Sequence, residues 1–200
     1  SSGGDMRAML NLLDAAVSIG PVVTVDTLKQ LRPSALHDGA GSGDTHYNLI
    51  SAMIKSMRGS DIDAALYYMA RLIVGGEPPE FIARRMVIFA GEDIGNANPN
   101  ALGIAVDTMT AVSRIGYPEA RIILSQCLVY LTASPKSNAA YMAIDKAIQS
   151  VEQGTLLPVP EHLQSPLHKG YLYPHDFGGW VKQNYLTQPM KFYESKGMGF

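Results

Sequence analysis

The residues of this 200-residue chain that could do chemistry are few and scattered. His175-Asp176 has the make-up of an oriented general base, since a carboxylate beside an imidazole can fix its tautomer and hold its proton. No serine, cysteine or lysine nucleophile stands with that pair in a recognisable motif, so a hydrogen-bonded structural turn is the stronger reading. Glu92-Asp93 has the residue types of an acid pair, but adjacent carboxylates on a helix point to different faces.

Four cations are candidates for DNA contact. Lys55 and Arg58 fall in the last turn of a helical pattern, where the helix dipole already favours positive charge. Arg84 and Arg85 lie between Ile82 and Met86, so one is expected to project to solvent and the other to pair with a partner or a phosphate. The whole chain carries 16 basic and 18 acidic side chains, a formal charge of −2. It has no global field to draw it onto a polyanion, and any nucleic-acid contact must be local, weak and salt-dependent.

Other chemistries are excluded by pattern. The five histidines, His37, His46, His162, His168 and His175, have no H-E-x-x-H or comparable ligand spacing. Cys127 is the single cysteine; it sits in an apolar run with Ile123, Leu124 and Leu128 and reads as a small buried hydrophobe. There is no G-x-x-x-x-G-K-S/T loop to cradle a triphosphate, so the chain is not expected to hydrolyse ATP alone. No apolar run approaches the length of a membrane span, which makes the cytoplasm the default compartment.

These residues must be positioned by helices. Met6, Met9, Leu10, Leu13 and Val17 recur at helical spacing behind a candidate cap at Asp5, and Thr24 can cap a short second helix. Pro33 and the glycine-rich stretch 37–43 then break the pattern. Beyond it, glycine and proline punctuation predicts six helices: about Thr45 to Arg58, Asp61 to Val74, Pro79 to about Asp93, Pro99 to Ser113, Pro118 to Leu131 and Pro135 to Gln153. Short loops imply antiparallel neighbours in a bundle. From Thr155 prolines alternate with Tyr171, Tyr173, Phe177, Trp180, Tyr185, Phe192 and Tyr193, predicting an irregular tail held by aromatic burial. No useful strand alternation is present, so the fold class is all-α.

One further residue bears on chemistry. Arg7 stands in the first turn of the first helix, on a side chain suited to reaching a phosphate. The segment around it, Gly4-Asp5-Met6-Arg7 with Leu10-Asn11 and Leu13, looks like the G-D-x-R-x-x-L-N-x-L stretch in the lid of AAA+ ATPases of the clamp-loader group. Further motifs narrow the resemblance: H-Y-N-L-I-S-A-M-I-K-S-M-R-G-S-D at 46–61, F-I-A-R-R at 81–85, E-D-I-G-N-A-N-P-N-A-L at 92–102, G-Y-P-E-A-R at 116–121, P-K-S-N at 135–138 and Y-P-H-D at 173–176. In this order they resemble the MgsA/RarA family of replication-associated recombination ATPases, which includes the Werner-helicase-interacting protein.

The resemblance implies a domain order: 1–35 as the end of an AAA+ lid and a linker helix, 44–154 as a helical domain similar to the clamp-loader collar, and 155–200 as an irregular segment packed on it. It implies assembly as a homotetramer, and an ATP-binding core lying before Ser1. Arg7 would be the sensor-2 residue, reaching the γ-phosphate of ATP held by that core. ATP and Mg would belong to the parent protein and none to this fragment. The implied activity is that of a DNA-dependent ATPase in replication-fork maintenance and recombination repair. The implied partners are DNA and single-stranded-DNA-binding protein, and the implied location is the bacterial cytoplasm at the nucleoid. Two stretches, 36–44 and 164–170, depart from the family pattern.

Two other readings stay open on the residues alone. One is an autonomous α-helical adaptor that presents a groove to a partner, without ATPase activity. The other is a small all-α enzyme using His175, Asp176 or Glu92, which requires those residues to converge in one pocket.

Overall fold

The computed structural model describes Leu13, Val17, Thr24 and residues 43–165 and 170–197. Among them are six α-helices and no strand: α1 (Gly43–Arg58), α2 (Ile62–Val74), α3 (Pro79–Phe89), α4 (Asn100–Ile115), α5 (Ala120–Ala133) and α6 (Ala139–Glu152). The chain is all-α, as its glycine and proline punctuation predicts. It divides into two units, with the boundary between Asn138 and Ala139.

In the first unit, each helix buries one stripe. The stripe of α5 is Ala120, Leu124, Cys127, Leu128 and Leu131, spaced by threes and fours as a helix facing a core requires. This helix packs against α1, α2, α3 and α4, which makes it the centre of the bundle. Met53 and Met57 from α1, Ile82, Met86 and Phe89 from α3, and Val112 from α4 fill the core around it. Burying each such side chain stabilises the fold by about 1.5–3 kcal/mol. Cys127 is buried among them, and that burial pushes its thiol pKa upward.

Local chemistry sets the ends. Asp61 caps α2, its carboxylate accepting the Ala64 N–H at 2.9 Å. Pro79 occupies the first turn of α3, where its missing N–H costs nothing. Asn98 fixes the entry to α4 against α5: its Nδ2 donates to Tyr130 Oη at 2.9 Å and to Ser134 Oγ at 3.0 Å.

Two boundaries differ from the sequence reading by more than two residues, and they have one cause. The α-helical part of α3 ends at Phe89, and Ala90–Ile94 continue as a wider π-turn that rotates Asp93 inward to 7% exposure. Residues 134–138, expected to open the last helix, instead run non-helically, and the Ser137 N–H donates to the Asp93 carbonyl at 2.8 Å. Gly95 makes the contact feasible. Its φ is +50°, and a Cβ there would lie 2.9 Å from the Ser137 carbonyl oxygen.

The second unit consists of α6 and the tail. Tyr141, Met142, Ile144, Ile148 and Val151 on α6 are between 42% and 56% exposed. In the tail, Gln183 ties down Leu172 in both directions, accepting its N–H at 3.2 Å and donating to its carbonyl at 2.8 Å. His162 Nε2 lies 2.9 Å from the Asn184 carbonyl oxygen. The expected aromatic burial is not found: Trp180 is 74% exposed, and Tyr173, Phe177, Tyr185 and Tyr193 are exposed as well. A segment of short turns and prolines builds no second apolar layer to receive them, and polar contacts hold it instead.

Candidate functional site

A cleft of about 540 Å³ opens between α1 and α3. Its floor is Ile50 and Ile54, both buried, and Tyr47 and Phe81 line it from the two helices. Lys55, Arg58, Arg85 and Glu92 bring charge to the same space. The two arginines differ in exposure. Arg84 is exposed, its guanidinium over the Phe81 ring at 6.0 Å from the centroid. Arg85 lines the cleft, and its Nε is buried with no hydrogen-bond partner among the described residues. A buried donor left without an acceptor costs about 1–3 kcal/mol.

Arg58 is otherwise engaged. Its Nε donates to Asp93 Oδ1 at 2.6 Å, its Nη2 donates to Asp93 Oδ2 at 3.1 Å, and Nη2 lies 3.5 Å from Glu92 Oε1. The hydrogen bond to Asp93 is the main cause of the upward shift in the Arg58 pKa. The residues read as separate acid and cation candidates are thus brought together, and the π-turn accomplishes it by turning Asp93 toward the end of α1.

Lys136 extends the network and went unremarked in the sequence. Its Nζ donates to the Thr132 carbonyl at 2.8 Å and to Ser60 Oγ at 3.3 Å. Burial pulls its pKa down, and the Asp93 charge opposes that pull. Beside the cleft, His46 Nδ1 sits 2.8 Å from Glu77 Oε2, and its ring lies 5.3 Å from that of Phe81. Neither His46 contact carries a signal in the sequence, because each joins residues more than 30 positions apart.

The other candidates stay apart. His175 and Asp176 occupy a 3-10 turn, Pro174–Phe177, in which the Asp176 N–H donates to the Tyr173 carbonyl at 3.0 Å. Both are exposed, which is the structural turn the residues suggested. Among the described residues no three His, Cys, Asp or Glu side chains group as metal ligands, and no helix is long and apolar enough to cross a membrane. Arg7, His37 and His168 lie outside the described residues.

The family matches place this all-α chain among the AAA+ ATPases: residues 1–58 match the AAA C-terminal domain. The chain belongs to the MgsA family of AAA+ ATPases, whose C-terminal region matches residues 59–200. It is 41% identical to the replication-associated recombination protein A of Bacillus subtilis, across 98% of this chain and 51% of that protein. It is 38% identical to the protein of the same name from Escherichia coli K12, across 86% of this chain and 42% of that one. Against the ATPase WRNIP1 of Dictyostelium discoideum the identity is 35%, across 96% of this chain and 26% of the relative. The chain spans about half or less of the length of these curated relatives.

Proposed function

We propose that this chain is the collar and oligomerisation region of a DNA-dependent AAA+ ATPase that acts in replication-fork maintenance and recombination repair. The observation that carries this reading is the order of the two family matches, lid-type residues 1–58 running directly into the MgsA-type region 59–200. The names of the relatives supply the replication and recombination context.

On this reading, residues 1–35 close an AAA+ lid, and Arg7 reaches the γ-phosphate of ATP, held with Mg by the core of the parent protein. A guanidinium there senses the loss of that phosphate on hydrolysis. The resulting change in lid angle moves the helical domain behind it. The exposed apolar positions of α6 (Ile144, Ile148 and Val151) fall on one helical face, and such faces are buried between copies in symmetric assemblies. The expected assembly is a homotetramer, in the bacterial cytoplasm at the nucleoid, with single-stranded-DNA-binding protein among its partners. Of the four cations, Lys55 and Arg84 are exposed and have no carboxylate partner among the described residues, and they are the better DNA contacts. Arg58 is held by Asp93, and Arg85 faces the cleft.

The test is ATP turnover by the parent protein with and without single-stranded DNA. DNA-stimulated hydrolysis that collapses on Arg7→Ala, while the 200-residue chain turns over no ATP, is the expected result. A DNA-stimulated rate untouched by Arg7→Ala would remove the sensor role.

A further inference from the structure

We infer that Asp93 and Glu77 are positioning residues for the ATPase cycle, an assignment that rests on the lid reading above: they pin the two ends of α1, so that lid movement reaches the bundle instead of being absorbed at the joint. Helix α1 (Gly43–Arg58) closes the lid-type match, residues 1–58, whereas Glu77 and Asp93 fall within the match to residues 59–200. The two matched regions therefore meet in the packing of one helix. Its buried contribution, Ile50, Met53, Ile54 and Met57, shares a core with Met69 of α2 and Met86 of α3. Methionine is unbranched, with several rotatable bonds and a polarisable thioether. A core of this kind re-packs under a small displacement and does not by itself fix the helix.

Directional polar contacts fix it. In the first turn of α1, His46 Nδ1 lies 2.8 Å from Glu77 Oε2, and Glu77 stands on the connection between α2 and α3. At the last residue of α1, the Arg58 guanidinium holds both oxygens of Asp93. About 18 Å of helix separates the two contacts, and two separated pins stop a rod from pivoting where one does not. Each anchor is itself held through its backbone. The Ser137 N–H donates to the Asp93 carbonyl at 2.8 Å, and the Tyr117 hydroxyl donates to the Glu77 carbonyl at 3.2 Å. The π-turn that aims Asp93 at α1 is a geometry that recurs at functional positions. A carboxylate repels phosphate, so what either anchor does for turnover passes through α1.

The experiment is ATP turnover by the parent protein with and without single-stranded DNA, alongside fluorescence anisotropy of labelled oligothymidine, for Asp93→Asn and Glu77→Ala. The first keeps the side-chain shape but cannot accept both prongs of Arg58; the second removes the partner of His46. Stimulation by DNA is expected to fall by about threefold or more in each variant, while basal turnover and oligothymidine affinity stay within about twofold of the parent. A merely destabilised fold lowers basal and stimulated turnover together, and circular dichroism identifies it. Should Asp93→Asn unfold, Glu77→Ala decides, because Glu77 lies outside the buried core. A folded variant stimulated as strongly as the parent overturns the assignment alone, and so does a parallel loss of basal turnover or of oligothymidine affinity in a folded variant. A parent without DNA-stimulated turnover overturns the ATPase reading and the assignment with it.

Discussion

Arg58 and Asp93 form a two-pronged ion pair, Nε to Oδ1 at 2.6 Å and Nη2 to Oδ2 at 3.1 Å, that fastens the end of α1 to the π-turn after α3. Asp93 is 7% exposed, so removing its partner leaves a nearly buried carboxylate uncompensated. The Arg58 side chain is itself 47% exposed, and water screens part of that loss. Arg58→Ala is expected to cost about 2 kcal/mol in urea unfolding. Once Asp93→Ala is already present, the same change should cost little, because the coupling is then gone. Additive losses would show that the pair contributes no coupling of its own.

Gly95 is expected to tolerate no side chain. At φ +50° an added Cβ meets the Ser137 carbonyl oxygen at 2.9 Å, and backbone atoms on both sides leave no flexible group to yield. Gly95→Ala should lower stability by about 2–3 kcal/mol, read as a drop in Tm, while Gly76→Ala, where nothing lies within 4 Å, meets only the cost of its positive φ. Equal shifts for the two would deny the contact its role.

Alkaline pH should loosen the first unit through Tyr117. Its phenol donates to the Glu77 carbonyl at 3.2 Å, and burial, with the nearby Glu77 and Glu80 charges, pushes its pKa from 10.0 up to about 12. The folded state therefore holds this proton more tightly than the unfolded chain. Stability is unaffected below pH 10 and falls between about 10 and 12 as the unfolded phenol ionises first. Tyr117→Phe should flatten that part of the stability-pH curve; a curve unchanged by the substitution would contradict the assignment.

DNA contact by Lys55 and Arg84 has a salt signature. Binding of single-stranded DNA to the chain should be weak, and the double substitution Lys55→Ala with Arg84→Ala should reduce the slope of log K against log salt by roughly one to two. An unchanged slope would move the contact elsewhere.

Much of this was legible in the sequence, and the failures share a physical reason. Glycine and proline punctuation set the starts of α2 and α3 within a residue, because caps and first-turn prolines act within one turn of chain. The π-turn at Ala90–Ile94 and the non-helical run 134–138 were not legible, because they arise from one tertiary hydrogen bond, Ser137 N–H to the Asp93 carbonyl, across more than 40 residues. The cleft followed the same rule. That one of Arg84 and Arg85 turns inward was legible but not which, and the aliphatic floor beneath Arg85 exists only once α1 and α3 are packed. The exposed tail reversed an expectation, since aromatic content signals burial without saying in which molecule the covering layer lies.

Self-association of the 200-residue chain is tested most directly by static light scattering at micromolar concentration. A mass four times that of the 21.6 kDa chain, falling when Ile144 and Ile148 on the exposed face of α6 are both replaced by glutamate, is the predicted result. A monomer under those conditions, or an assembly indifferent to the two glutamates, would contradict it.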